Sequence, residues 1–128
     1  MLTAVEAPVR ISLASVEPAG ARWRVTWEIL NLLDEPLLLE DAWVPHGRFR
    51  GEGHTRLDLA LPPHASSHLQ LPVSADERPG TVVENAFLIL RVSGRWRVFA
   101  RMRIAFDAEA TPRPIVEAVT VQSLQSEG

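Results

Sequence analysis

Two stretches of this chain combine residue types that could bind a ligand or partner, and both are built on arginine. The first runs from Pro45 to Arg56 and holds His46, Arg48, Phe49, Arg50, His54 and Arg56 among Gly47, Gly51 and Gly53. Its three arginines face a single acid, Glu52, so it is locally basic. Glycine opens backbone conformations closed to other residues. An aromatic ring between two guanidinium groups can stack on a planar or sugar ligand while the arginines grip an anion. The stretch is therefore a candidate glycan- or anion-binding loop. The plainer alternative is a solvated strand connection with Phe49 tucked under a sheet edge. The second stretch holds Arg91, Arg95, Arg97, Phe99, Arg101 and Arg103 with no acidic residue between them. In an extended strand, side chains two apart share a face at about 6.5–7 Å. Arg95, Arg97, Arg101 and Arg103 are expected to form a ladder broken by Phe99, a docking face for an acidic partner. The alternative is a wet face whose arginines pair with acids such as Glu28 or Glu84, and such pairs contribute little.

Other chemistries find less support. His64 and His68 are four apart, the spacing that places two ligands on one helix face. Here the chain passes through Pro63 and Ser66-Ser67 into a strand, where that separation is about 13 Å, too far to share one ion. His46 and His54 could approach Glu52 or Asp58, but loop histidines are usually just exposed. With no cysteine, disulfides and thiolate metal sites are excluded, and no metal is expected. Serines occur without a Gly-x-Ser-x-Gly elbow. Glu40-Asp41 and Asp34-Glu35 are sequence neighbours, so on a strand they point to opposite faces and cannot share acid–base work. No catalytic residues, no cofactor and no enzymatic activity are expected.

The elements that must position the two basic stretches are strands. In Trp23-Arg24-Val25-Thr26-Trp27-Glu28-Ile29 the odd positions are apolar and the even ones polar. That period of two sends Trp23, Val25, Trp27 and Ile29 to one buried face. The same alternation marks Val9, Ile11 and Leu13; Leu57, Leu59 and Leu61; Leu69, Leu71 and Val73; and Trp96 through Phe106. Turn residues separate the runs, including Glu17-Pro18-Ala19-Gly20, Pro62-Pro63-His64 and Asp76-Glu77-Arg78-Pro79-Gly80. Ser93-Gly94 is the clearest hairpin signal, and apolar parity favours pairing Val92 with Trp96, which sets Arg91 opposite Arg97. Seven strands are predicted, at about 8–16, 21–32, 36–44, 56–61, 66–74, 82–92 and 95–106. Seven short strands without a helix predict an all-β, two-sheet immunoglobulin-like sandwich. Residues 108–128 break the pattern at Asp107 and form a C-terminal extension, an eighth edge strand or a docking segment, whose last residues are expected to fray.

Trp23 to Asn31 resembles the second strand of fibronectin type III and related bacterial immunoglobulin-like domains, in which a buried tryptophan anchors the core. Leu61-Pro62-Pro63-His64 with the strand after it is similar to a passage common in bacterial sandwich modules. The resemblance spans roughly residues 8–106 and implies a fold rather than an activity.

With 128 residues, one domain, at 1–107 with the extension behind it, is expected. The apolar share of 46% is enough for a core, so disorder is not expected. Net charge −3 argues against a dedicated nucleic-acid binder. The longest apolar runs, such as Ala86 to Leu90, are too short to cross a bilayer, and Met1 to Pro8 lack the features of an export signal. These point to a soluble, cytoplasmic chain, with an extracytoplasmic place open if a signal has been removed. The favoured function is a non-enzymatic interaction or structural module, binding a protein partner or itself. The alternative is a module for an acidic glycan or other anion, centred on residues 45–56.

Overall fold

The computed structural model describes residues 6–124. The chain start, read above for an export signal, lies partly outside them, as do the expected frayed residues 125–128. The described residues form ten strands, most of them with alternating inward and outward side chains: β1 (Val9–Ala19), β2 (Arg22–Asn31), β3 (Leu37–Trp43), β4 (Pro45–His46), β5 (Phe49–Arg50), β6 (Thr55–Leu61), β7 (Ser66–Val73), β8 (Val82–Val92), β9 (Trp96–Phe106) and β10 (Pro112–Ser123). Two sheets carry the structure. One has the order β1-β2-β7 and the other β10-β9-β8-β3-β6, while β4 and β5 form a small separate ribbon. Neighbouring strands are antiparallel throughout. The fold is an all-β sandwich.

The inward rows fill the space between the sheets. Val25, Trp27 and Ile29 of β2 meet Leu39 of β3, Leu88 and Leu90 of β8, and Val98, Ala100, Met102 and Ile104 of β9 in one buried cluster. Burying one such large apolar side chain contributes roughly 1.5–3 kcal/mol. Trp27 is fully enclosed, whereas Trp23 and Trp96 are half-buried at the margins of the core. Trp23 Nε1 donates to the Ala75 carbonyl at 3.0 Å. Trp27 Nε1 has no acceptor among the described residues, so the ring is held there by packing alone.

The ends of the sandwich are tied by polar side chains. Asn31 is fully buried. Its Nδ2 donates to the carbonyls of Glu35, Leu61 and Pro62 at 2.9, 3.0 and 3.1 Å, and its Oδ1 accepts from Leu33 N–H at 2.8 Å. This amide joins the end of β2 in one sheet to the end of β6 in the other. At the β9–β10 connection, Asp107 Oδ1 accepts from the N–H groups of Glu109 and Thr111 at 2.9 and 3.0 Å. Those backbone donors, Thr111 first, hold the Asp107 carboxyl below its ordinary range, with Arg113 helping.

The C-terminal segment then runs as β10 along the whole of β9, from Pro112 opposite Phe106 to Ser123 opposite Trp96. A bulge between Val116 and Ala118 bends it, and β1 has one between Leu13 and Ser15. The two bulged edge strands, β1 and β10, lie side by side.

Candidate functional site

The outer face of the five-stranded sheet brings Arg91, Arg97, Arg101 and Arg103 together with Trp43, Phe87 and Phe99. Register alone assembles it. Trp43 of β3 lies opposite Ile89 of β8, Ile89 opposite Phe99 of β9, and Phe99 opposite Thr120 of β10. This row crosses four strands. On one side of it, Asp41, Arg91, Arg97 and Gln122 form the next row; on the other, Phe87, Arg101 and Ala118. Beyond these, Arg103 sits opposite Ile115, which is 42% exposed. Phe87 and Phe99 meet edge to face with centroids 6.4 Å apart, and His54 stacks on Trp43 at 4.6 Å. The outer face of the other sheet reads differently: Ser12–Glu28–His68 and Glu17–Arg24–Pro72 rows, mixed in charge and without Phe or Trp.

The arginines of this face are poorly neutralised. Arg91 lies 3.8 Å from Glu40, and Arg101 3.9 Å from Glu117. Long, exposed ion pairs of this kind contribute little. Glu40 also accepts a short hydrogen bond from the Gly94 N–H, so Arg91 shares it with the turn. Arg97 and Arg103 have no ion pair among the described residues. Arg91 stands directly opposite Arg97, a placement of like charges that disfavours the fold.

The hairpin explains both this pairing and the one arginine that leaves the ladder. Ser93 (φ 52°) and Gly94 (φ 62°) are both left-handed, and Arg95 N–H closes the turn on the Val92 carbonyl at 3.1 Å. Three residues therefore sit in the loop, and β9 begins only at Trp96. Arg95, expected in the ladder, instead lies over the Trp96 ring at 4.2 Å and reaches Glu35 at 3.4 Å. Arg91, Arg97, Phe99, Arg101 and Arg103 remain on one face.

The glycine-rich stretch does not hold together as one site. Phe49, expected as a possible stacking platform, is fully buried; its ring fills core space beneath the β4–β5 ribbon and cannot meet a ligand. Arg48 turns to Glu77, with hydrogen bonds of 2.7 and 3.3 Å, which raise the arginine's affinity for its proton and lower the glutamate's. His46 Nδ1 accepts from the Arg48 N–H at 3.1 Å. Arg50 lines a 600 Å³ hollow with Arg22, Trp43, Gly51, Glu52 and Gly53, in which Arg22 pairs with Glu52. His54 and Arg56 point to the sheet face instead. His54 stacks on Trp43 and lies 3.9 Å from Asp41, while Arg56 pairs with Asp58 at 2.7 Å. The loop and the ladder thus meet only through His54 and Arg56.

Trp43, Phe87, Ile89, Asp41 and Ile115 were not singled out as site residues from sequence. One signal was present: Trp43 is the only tryptophan off the predicted core rows. Phe87 and Ile89 gave none, because they interleave with the buried Ala86, Leu88 and Leu90 and read as one apolar run. The remaining histidines stand apart, His64 at 2.6 Å from Asp34 and His68 at 3.9 Å from Glu28. No group of three or more metal-ligating side chains occurs among the described residues. Among the described residues no helix is long and apolar enough to cross a membrane.

Comparison of the chain with models of protein families, with curated proteins and with solved structures finds no match.

Proposed function

We propose that this β-sandwich is a non-enzymatic interaction module that docks an acidic protein partner on the outer face of its five-stranded sheet. The observation that carries this reading is the contrast between the two outer faces. One bears Trp43, Phe87, Ile89, Phe99 and four arginines in adjoining rows; the other is mostly polar, mixed in charge and free of Phe and Trp. Aromatic residues and arginine are the types enriched at the centres of protein interfaces. Arg97 and Arg103, which have no ion pair among the described residues, favour an acidic partner and speed its approach. Two copies meeting through this face about a twofold axis would bring arginine rows together, so the partner is a different protein.

We read the architecture as immunoglobulin-like: the first, second and fifth long strands make one sheet, and the third, sixth and seventh lie together in the other. In this reading β10 is an addition beside the seventh.

Fluorescence anisotropy of a labelled, end-capped hexaglutamate peptide tests the docking reading, with hexalysine as control. Binding of hexaglutamate is expected, weakened by salt and abolished by Phe99→Ala combined with Arg101→Glu. Equal binding by that double variant, or none by the native chain, overturns the reading; so does light scattering that shows an arginine-face dimer.

A second reading has one observation in its favour. The 600 Å³ hollow beside Trp43 and Arg50 is within the roughly 300–1,000 Å³ range of small-ligand sites. We propose an acidic sugar as its occupant. A thermal-shift screen of uronic and sulfated oligosaccharides in which Arg50→Gln abolishes the response supports it, and no response removes it.

A further inference from the structure

We infer that the docking face has a carboxylate-binding subsite between Arg91 and Arg97, walled by Trp43 and Ile89, which takes one glutamate or aspartate side chain of the acidic partner. This deepens the docking-face reading and rests on it.

Trp43, Ile89, Arg91 and Arg97 line a 230 Å³ concavity together with Asp41 and His54. Its size falls below the roughly 300–1,000 Å³ of sites for whole small ligands and suits one inserted side chain. Trp43 and Ile89 are neighbours in the apolar row, and Arg91 and Arg97 are neighbours in the row beside it. Directly opposed residues of an antiparallel pair carry their Cβ atoms about 4.5–5.5 Å apart. Two guanidinium groups rooted that closely can converge on one carboxylate, and each can donate to it through two N–H groups. The apolar wall keeps water from one side, where such charge-assisted bonds strengthen.

Charge decides which anion fits. Arg91 is partly occupied by Glu40 at 3.8 Å, whereas Arg97 has no acidic partner among the described residues. Asp41 lines the same hollow and contributes a negative charge on the β3 side. With Glu40 and Asp41 both on the Arg91 side, the charge left without a partner is that of Arg97, which one monoanionic carboxylate satisfies, and Asp41 opposes the second charge of a phosphate. An incoming carboxylate is therefore directed towards Arg97, away from Asp41. An arginine and a tryptophan side by side beneath a partner side chain make the kind of anchor that dominates interface energetics.

The experiment is a hexaglutamate titration of the full ¹⁵N-labelled chain, followed at the Trp43 indole N–H resonance and repeated with variants. Charge-assisted hydrogen bonds are about twice as strong as neutral ones, so Arg97→Gln should weaken binding by about tenfold or more and remove the indole shift. Arg101→Gln, which lies outside the concavity, should weaken it by no more than about threefold through lost field. Arg24→Gln on the opposite sheet should leave it unchanged. If Arg97→Gln and Arg101→Gln weaken binding equally and the indole does not move, the subsite is refuted while the docking face stands. Inorganic phosphate displacing the peptide at equal concentration refutes the preference for a carboxylate. If the native chain does not bind hexaglutamate at all, the docking-face reading itself fails.

Discussion

Replacing Arg97 by glutamate should make this protein more stable and less able to bind. Native β9 sets Arg97 directly opposite Arg91, with Asp41 beyond Arg91 and Gln122 beyond Arg97 in the same row. Opposed like charges destabilise a sheet, and opposed unlike charges stabilise it, each by roughly 0.2–1 kcal/mol. Arg97→Glu exchanges the first for the second and loses no ion pair among the described residues. The Arg91 side chain is 52% exposed, so screening keeps the gain near the low end, at about 0.5–1 kcal/mol. For a chain of this size that is a rise of about 2–5 °C in Tm. Urea unfolding and calorimetry at low and high salt check it. The gain should shrink in high salt, where the Debye length falls to about 3 Å at 1 M. Hexaglutamate binding should be lost in the same variant. Native Arg97 would then belong to the residues a protein retains for function at the expense of stability. A variant destabilised by more than about 0.5 kcal/mol would refute this reasoning, because the arginine stem would be packing for the fold.

Other outcomes follow from the buried groups and turns. Phe49→Ala should cost about 3–5 kcal/mol in urea unfolding, as expected for a buried aromatic, and a loss under 1 kcal/mol would mean the ring is not core. Asn31→Asp keeps the shape but replaces the Nδ2 donor with a carboxylate oxygen, an acceptor turned towards three carbonyls. It should cost roughly 3–5 kcal/mol at pH 7. Burial and the carbonyls raise the new carboxyl's folded pKa, so the loss should shrink as pH falls and the group protonates; a pH-independent loss contradicts this. Asp107 is held below its ordinary value, so the stability it contributes is present above about pH 4 and lost as pH falls further. Asp107→Asn should flatten that acid limb of a urea-midpoint profile, and an unchanged limb would contradict the turn's role.

The strands were legible in the sequence because a period of two needs no tertiary information: Val25, Trp27 and Ile29, or Val98, Ala100, Met102 and Ile104, declare their face by spacing. The hairpin register followed from the same parity at Val92 and Trp96. The arginine ladder was legible in part, since Arg97, Phe99, Arg101 and Arg103 alternate on one strand. Arg95 has the same parity but precedes the strand, and the φ values of Ser93 and Gly94 decide that. Phe49 could not be placed from spacing, because a two-residue strand has no period. Neither could the row Trp43–Ile89–Phe99–Thr120, whose members come from four strands and meet only through register. Sequence shows what one strand presents; a surface belongs to several.

The central claim is that the outer face of β3, β8, β9 and β10 receives an acidic partner. An amide ¹H–¹⁵N map of the full chain during hexaglutamate titration tests it most directly. Perturbations should gather at residues 41–43, 87–91, 97–103 and 115–122, leaving β1, β2 and β7 unmoved. Shifts concentrated on the β1-β2-β7 face, or spread evenly over the molecule, would contradict it.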